Sequence, residues 1–335
     1  MSDTPTIAVL ISTFNEERYI ERCLEAVIRQ DYPAERVTIW LIDGGSTDAT
    51  VALAERIAAS EPRLRVIASG ARLNLPAALN VGIEHSEGDF VAKVDARTFV
   101  EPDFLSRAIA AFESGDSAVA CVGGRPEQHG ETRFAQAVAR ARTSRFGVGG
   151  SEYAGTSERT GVDTVQCGVY RRAPLVEVGC FDPAMQYGED EELNWRLRGA
   201  CYAILLDTAI RFRYVTRPTW RAAYRQYRNY GEARTRVLEK HPDFLRPHHL
   251  VPPAAVAIAA TVTMLAPLSA HARRGVAGLG LAYGTAAAAA AGRAAGRDLG
   301  DAARVALAFT ALHAGYGVGM LSGFGRRIAD RGRGG

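Results

Sequence analysis

The sequence has little cysteine, and what it has is scattered. The five cysteines, Cys23, Cys121, Cys167, Cys180 and Cys201, form no Cys-x-x-Cys pair and no tight Cys/His cluster. An odd, dispersed set argues against a disulfide framework and for reduced, mostly buried thiols in a cytosolic domain. Net charge is nearly absent too. Lys and Arg number 40 against 37 Asp and Glu, and the resulting +3 is too mild to argue for nucleic acid. The first six residues are polar with no basic region, and the apolar run at 7–12 is too short for a signal peptide. Export is not expected. No internal repeat is visible. At 335 residues the chain is long enough for one large domain plus an appendage.

What is present alternates. Residues 6–12 form a continuous apolar run ending at Ser12-Thr13, the pattern of a buried parallel strand. Residues 16–30 carry helical spacing, with Ile20, Leu24, Val27 and Ile28 on one face and Asn15 as a cap. Further strands are expected at 37–42, 64–68, 90–94 and 118–122. Helices are expected at 48–59, capped by Ser46 or Thr47, and at 75–85 and 102–113. The alternation predicts an α/β domain with a mostly parallel sheet and helices on both faces. Asp43 and Asp95 each end a strand, and ligands of open α/β sheets sit beyond those carboxyl ends. The structural alternatives are a turn residue at Asp43 and a helix cap at Asp95.

Four segments follow in order: Ser12-Thr13-Phe14-Asn15-Glu16-Glu17, Gln30-Asp31-Tyr32-Pro33, Ile42-Asp43-Gly44-Gly45-Ser46-Thr47-Asp48, and Ala77-Ala78-Leu79-Asn80-Val81-Gly82 leading to Gly88-Asp89. Each alone is a weak signal. Together they resemble the motifs of family 2 glycosyltransferases, which have the GT-A fold. The resemblance implies that Ser12, Phe14 and Glu16 line a nucleotide site, with Asp43 in the same pocket. Asp43 can accept hydrogen bonds from a base or ribose, and glycine at 44 and 45 lets the backbone approach closely.

Family members usually carry Asp-x-Asp after the central strand, where it holds a divalent cation against the donor diphosphate. Here the segment is Asp95-Ala96-Arg97. Arg97 has no acceptor and cannot ligate a cation. Either Asp95 binds Mg²⁺ or Mn²⁺ with another ligand from elsewhere, or Arg97 meets the diphosphate itself. Metal binding through Asp95 is the expectation. A subgroup resembling succinoglycan-type bacterial glycosyltransferases carries a basic or imidazole residue at this position.

In the second half, 163–170 reads as a strand and 175–179 follows it. Gly147-Val148-Gly149-Gly150 and the polar residues to Gly161 read as a mobile loop, either a cover for the donor or a plain surface loop. In the resembled subgroup, Asp163-Thr164-Val165 and Gly168 lead into an acceptor site. Gly188-Glu189-Asp190-Glu191-Glu192-Leu193 opens a helix, and acids there suit the macrodipole. The resemblance implies Asp190 as the general base, with Glu189 beside it. Neighbouring acids would raise its pKa, and direct attack with one base inverts the anomeric carbon.

Trp220, Tyr224, Tyr227 and Tyr230 fall at helical spacing with Arg221, Arg225 and Arg228 interleaved, which reads as an interfacial helix. Gln226-Tyr227-Arg228-Asn229-Tyr230 partly resembles the Gln-x-x-Arg-Trp motif of processive relatives, with Asn229 in the place of that Arg. Gln226 and Arg228 are candidates for diphosphate or acceptor contacts. Beyond them, 251–270, 275–292 and 305–325 carry no formal charge. A crossing needs about 20 apolar residues, which the first and third runs supply. A soluble hairpin is the alternative. The expected organisation is a catalytic domain at 1–215, an interfacial segment at 216–250, a membrane region of two or three helices at 251–325 and a basic tail at 326–335.

The chain is thus expected to be an inverting glycosyltransferase. Its donor would be a nucleotide-diphosphate sugar; the subgroup implies a UDP-sugar, UDP-glucose among them. Its acceptor would be lipid-linked or a polysaccharide, in exopolysaccharide or cell-envelope glycan synthesis. The expected location is the cell inner membrane, in contact with lipids, the catalytic half facing the cytoplasm. Two alternatives stay open: a catalytically silent nucleotide-binding membrane scaffold, and a polyprenyl-phosphate glycosyltransferase.

Overall fold

The computed structural model describes residues 4–113, 117–148, 159–296 and 298–333. In chain order the elements are β1 (Ile7–Thr13), α1 (Ile20–Ile28), β2 (Val37–Asp43), α2 (Thr50–Ala58), β3 (Leu64–Ala68), α3 (Leu75–His85), β4 (Phe90–Lys93), β5 (Thr98–Val100), α4 (Phe104–Glu113), β6 (Val119–His129), α5 (Arg133–Thr143), α6 (Arg145–Val148), β7 (Arg159–Gly161), β8 (Gln166–Arg171), α7 (Arg172–Glu177), α8 (Glu189–Gly199), β9 (Ala203–Val215), α9 (Trp220–Lys240), α10 (Pro247–Leu265), α11 (Ala270–Ala295) and α12 (Leu299–Arg333). The chain forms two compact units. One comprises Met1–Glu127 with Gly155–Tyr214, the other Gln128–Ala154 with Val215–Gly335.

The first unit is built on a nine-stranded sheet in the order β3-β2-β1-β4-β8-β6-β9-β5, with β7 paired to β9. β3, β2, β1 and β4 run parallel. β8 runs antiparallel to both β4 and β6, as β5 and β7 do to β9. The sheet is therefore mixed, and the expected parallel character holds for its N-terminal half. An apolar run reads alike in either direction, so its period carries no information on strand sense. In the parallel half the register pairs Thr13 with Asp43 and Leu10 with Lys93. The carboxyl ends of β1, β2 and β4 thus form one edge. β1, β2 and β4 are buried almost throughout, as strands covered on both faces must be.

Two helix starts differ from the sequence reading. α1 begins at Ile20 rather than Glu16, and Asn15 does not cap it. Asn15 sits at φ 53° and its side-chain oxygen accepts from Thr47 N at 2.8 Å, while Ser46 Oγ accepts from Asn15 N at 2.8 Å. α2 begins at Thr50, and Asp48 Oδ1, not Ser46 or Thr47, accepts from Thr50 N. Short polar side chains that bond to nearby backbone compete with helix ends, and here they tie two loops together instead. Of the expected loop, 149–158 lies outside the described residues, and Gly147 and Val148 end the short α6.

The second unit is helical. Its core joins α5, α9, α11 and α12 through Val138, Ala141, Ala223, Tyr227, Ala290, Phe309 and Leu312. The aromatic stripe of α9 is a packing face: Trp220 and Tyr224 stack at 5.1 Å and border this cluster. α9 and α12 approach backbone to backbone at Gly315 and Gly319, and Gly323 meets the Thr235 side chain. A Cβ at Gly319 would stand 2.1 Å from the Arg228 carbonyl oxygen.

That closeness is testable. Gly319→Val is expected to cost about 1–3 kcal/mol through overpacking, read as a lower Tm in detergent. Gly278→Val on α11, where nothing lies within 4 Å of an added Cβ, should leave Tm near the parent value.

Candidate active site

Lys93 ends β4 with its side chain 1% exposed. Lysine is almost never this buried unless it is paired, and here it has three partners. Its Nζ lies 2.6 Å from Asp190 Oδ2, 3.0 Å from Glu189 Oε1 and 3.4 Å from Asp95 Oδ1. Asp95 follows β4 directly. Glu189 and Asp190 open α8 after Gly188, which adopts φ 76° to start the helix. α8 is held in place by its own polar residues. Asn194 Nδ2 donates to Thr164 Oγ1 at 2.9 Å, and Arg196 bridges Glu192 and the carbonyl of Cys180. Two acids far apart in sequence, Asp95 and Asp190, are thereby gathered at one ammonium.

The electrostatics follow from that gathering. Burial alone would push Lys93 down, but Asp190, Asp95 and Glu189 outweigh it and hold the ammonium well above the ordinary lysine range. One ammonium does not neutralise three carboxylates. Burial is the main reason that Asp190 is pushed up to about 7; Lys93 opposes the rise, and Glu189 and Asp95 add to it. Asp190 is 17% exposed, and its Oδ1 has no hydrogen-bond partner among the described residues. It is a carboxylate poised near neutrality with one oxygen uncommitted, the condition a general base requires.

The remaining candidates fall into two groups. Asp43, 2% exposed at the end of β2, accepts through Oδ2 from Gly45 N at 2.9 Å and Ser46 N at 2.8 Å. Its Oδ1 is buried without a hydrogen-bond partner among the described residues, as is Thr13 Oγ1 on the adjoining strand. Ser12 is half-buried in β1 opposite Ile42, and Phe14 is 38% exposed with the Arg72 guanidinium 3.2 Å from its ring centre. Glu16 Oε1 accepts from Arg97 Nε at 2.8 Å, and Arg97 also lies over the Tyr19 ring. Glu16 and Arg97, expected to act separately on a ligand, are one ion pair here. Gln226 and Arg228 belong to the second unit. There Gln226 donates to the Tyr230 hydroxyl at 2.8 Å, and Arg228 pairs with Glu232 at 3.2 Å.

Lys93 was not among the residues singled out from sequence. Its signal was present: a single charge inside a strand whose four residues are all buried. Arg72 over Phe14 lies in a loop with no pattern to announce it.

Among the described residues no group of three or more His, Cys, Asp or Glu is arranged to hold a metal. Mg²⁺, however, is commonly held by one or two carboxylates, with substrate phosphates and waters completing the shell. Asp95 is 26% exposed and stands in a cluster with surplus negative charge. It fits that minimal role.

Comparison with known proteins adds the following. The profile described as "Glycosyl transferase family 2" matches residues 8–179. A dolichyl N-acetyl-alpha-D-glucosaminyl phosphate 3-beta-D-2,3-diacetamido-2,3-dideoxy-beta-D-glucuronosyltransferase of Methanococcus voltae is 30% identical over 240 residues, 70% of this chain and 74% of that protein. The succinoglycan biosynthesis protein ExoA of Rhizobium meliloti (strain 1021) is 27% identical over 254 residues, 75% of this chain and 76% of that one. Among solved structures, the mannosyltransferase PcManGT from Pyrobaculum calidifontis, in complex with GDP-Man and Mn²⁺, aligns with a TM-score of 0.67 at 17% identity. It covers 96% of this chain and 88% of its own. At that identity the likeness is one of fold.

The charge cluster makes a prediction independent of any reaction. Lys93→Met should cost about 3–5 kcal/mol above neutrality, the usual cost of removing one partner of a buried pair. Without the ammonium, which holds the folded-state pKa of Asp190 down, that pKa rises, so the native state holds more protons. The loss must then shrink as pH falls, visible in thermal melts across pH. Asp190's own titration, followed by its carboxyl band in difference infrared spectra, should centre on about 7 in the parent and higher in Lys93→Met.

Proposed function

The chain belongs to glycosyl transferase family 2 and has a GT-A-like fold, and from that premise we propose an inverting enzyme that moves a sugar from a UDP-sugar to a lipid-linked or growing polysaccharide acceptor. The dolichyl-phosphate-linked acceptor in the name of one relative, and the polysaccharide whose biosynthesis the name of another records, support that class. Three helices long and apolar enough to cross a membrane support a location at the inner membrane, with the active site on the cytoplasmic side.

The observation that carries the reading is the meeting of Asp95, Glu189 and Asp190 at Lys93. In the proposed reaction the acceptor oxygen attacks the anomeric carbon while Asp190 takes its proton. The bond from that carbon to the diphosphate breaks, and the electron pair leaves with the nucleotide. One base and one displacement invert the configuration. Glu189 also pairs with the Lys93 ammonium and adds to the rise in the pKa of Asp190. Asp43 offers its uncommitted oxygen to an N–H of the base or a hydroxyl of the ribose. Ser12 and Phe14 line the same edge. Glu16 fixes the guanidinium of Arg97, whose planar fork suits phosphate oxygens. A divalent cation held by Asp95 would supply positive charge against the departing diphosphate. Gln226 and Arg228 take no part in this reading.

Asp190→Asn is expected to lower transfer by about 10²–10⁴-fold while thermal stability and nucleotide affinity persist; near-normal turnover would refute the assignment. Chelation by EDTA should abolish transfer, and Mg²⁺ or Mn²⁺ should restore it. Activity unchanged by chelation would remove the cation from the mechanism and leave the diphosphate to Arg97.

A further inference from the structure

Resting on the transferase reading above, we infer that Asn80 of α3 is a positioning residue for the transfer step: it clamps the segment from which α8 departs and so fixes Asp190 relative to the sheet. The start of α8 does not place itself. Its cap residue, Gly188, has no side chain to bond back to the helix, and four acids crowd its first turn. Lys93 draws Glu189 and Asp190 inward, but its ammonium rides on a flexible four-carbon stem.

The chain before α8 is held more firmly. It turns through Gly179 at φ 88° and Cys180 at φ 56°, the second a left-handed conformation sparsely populated for a residue with a Cβ. Such a turn persists only where its surroundings over-determine it. Arg196 of α8 donates to the carbonyls of Val178 and Cys180. Asn80 takes the next residue at both ends. Its Oδ1 accepts from Phe181 N at 3.0 Å, and its Nδ2 donates to Phe181 O at 2.7 Å. Two residues on, Asn74 Nδ2 donates to Pro183 O at 2.7 Å, while its Oδ1 caps α3 at Ala77 N. Asparagine inside a helix is ordinarily unfavourable; Asn80 commits both ends of its amide to a segment 101 residues away. Phe181 is 1% exposed and meets the Tyr170 ring of β8 edge-on at 6.1 Å, so the clamp is anchored in the core.

α3 is a fixed reference for that clamp. Gly82 presses on β1 and β2, where an added Cβ would stand 2.7 Å from the Ile42 side chain and 3.0 Å from that of Leu10. The loop leading into α3 also borders the ends of those strands: Leu73 N donates to Gly44 O at 3.4 Å, and Arg72 lies over the Phe14 ring. One helix and its entry loop therefore touch both the edge proposed for the nucleotide and the segment that leads to the proposed base. A misplacement of about 1 Å in a reacting group can cost about 100-fold in rate.

The test uses the full chain in detergent, with Asn80→Leu, which is similar in shape and loses both bonds, and Asn80→Asp, which keeps the bond from Phe181 N. Amide hydrogen exchange and transfer from UDP-glucose to a membrane lipid extract are measured on each, with UDP affinity alongside. In Asn80→Leu exchange should quicken across residues 184–193 and not in β1 or β2. Its kcat should fall about 100-fold, with KM for UDP-glucose and UDP affinity near the parent values. Asn80→Asp should lie between the two, and it carries the test if Asn80→Leu does not fold. Parent-like exchange at 184–193, or a parent-like kcat beside a lowered Tm, would overturn the inference and leave the transferase reading intact. Quickened exchange at 184–193 in variants of a parent that transfers nothing from UDP-glucose would overturn that reading and leave the placing of α8 by Asn80 standing.

Discussion

The ammonium of Lys93 is the contact on which the active unit depends. It stands at the end of the central strand and reaches carboxylates from two distant parts of the chain. A lysine in this position is tolerable only because its partners surround it, and they are tolerable at such close range only because it stands among them. The arrangement joins stability to chemistry. The forces that seat α8 against β4 are the same forces that set the proton affinity of Asp190. Burial, with Glu189 and Asp95 adding to it and Lys93 opposing, brings the proton affinity of Asp190 near neutrality.

The edge at the ends of β1 and β2 is assembled on a different plan. Its polar groups are bonded to backbone across the β1 and β2 loops: Asn15 to Thr47, Ser46 to Asn15, and Asp43 to Gly45 and Ser46. These bonds lie wholly within the chain and hold the edge in shape. Asp43 Oδ1 remains as a buried acceptor awaiting a donor. Pre-organisation of this sort lowers the ordering cost of binding.

Much of this was legible in the sequence, for identifiable reasons. The motifs at Ser12–Glu17 and Ile42–Asp48 lie at strand ends, where the chain must turn and polar residues must appear, so they stand out against apolar runs. Strand sense in the second half of the sheet was not legible, because β8 has the same apolar signature whichever way it runs. Capping and loop-tying use the same side chains, so the sequence at Asn15 and Ser46 fits either. Lys93 is one charge in an otherwise apolar run, and only the fold brings Glu189 and Asp190 beside it. The helical unit was the least readable. Hydropathy weighs α12 as it weighs α10, yet α12 is covered by α9, α5 and its own neighbours. The glycines at 315, 319 and 323 were the one visible trace of that covering.

The separation of Lys93 from Glu189 and Asp190 along the chain has a consequence for biosynthesis. While the ribosome is still translating the middle of the sequence, β4 has emerged with a cation and no counter-ions beyond Asp95. The sheet cannot close around Lys93 until the start of α8 has been made. The first unit ends at Tyr214 and the first helix long and apolar enough to cross a membrane starts only at Pro247. Every residue that the Lys93 cluster needs is therefore translated before that helix, and the order of synthesis lets the first unit close before the apolar helices are made.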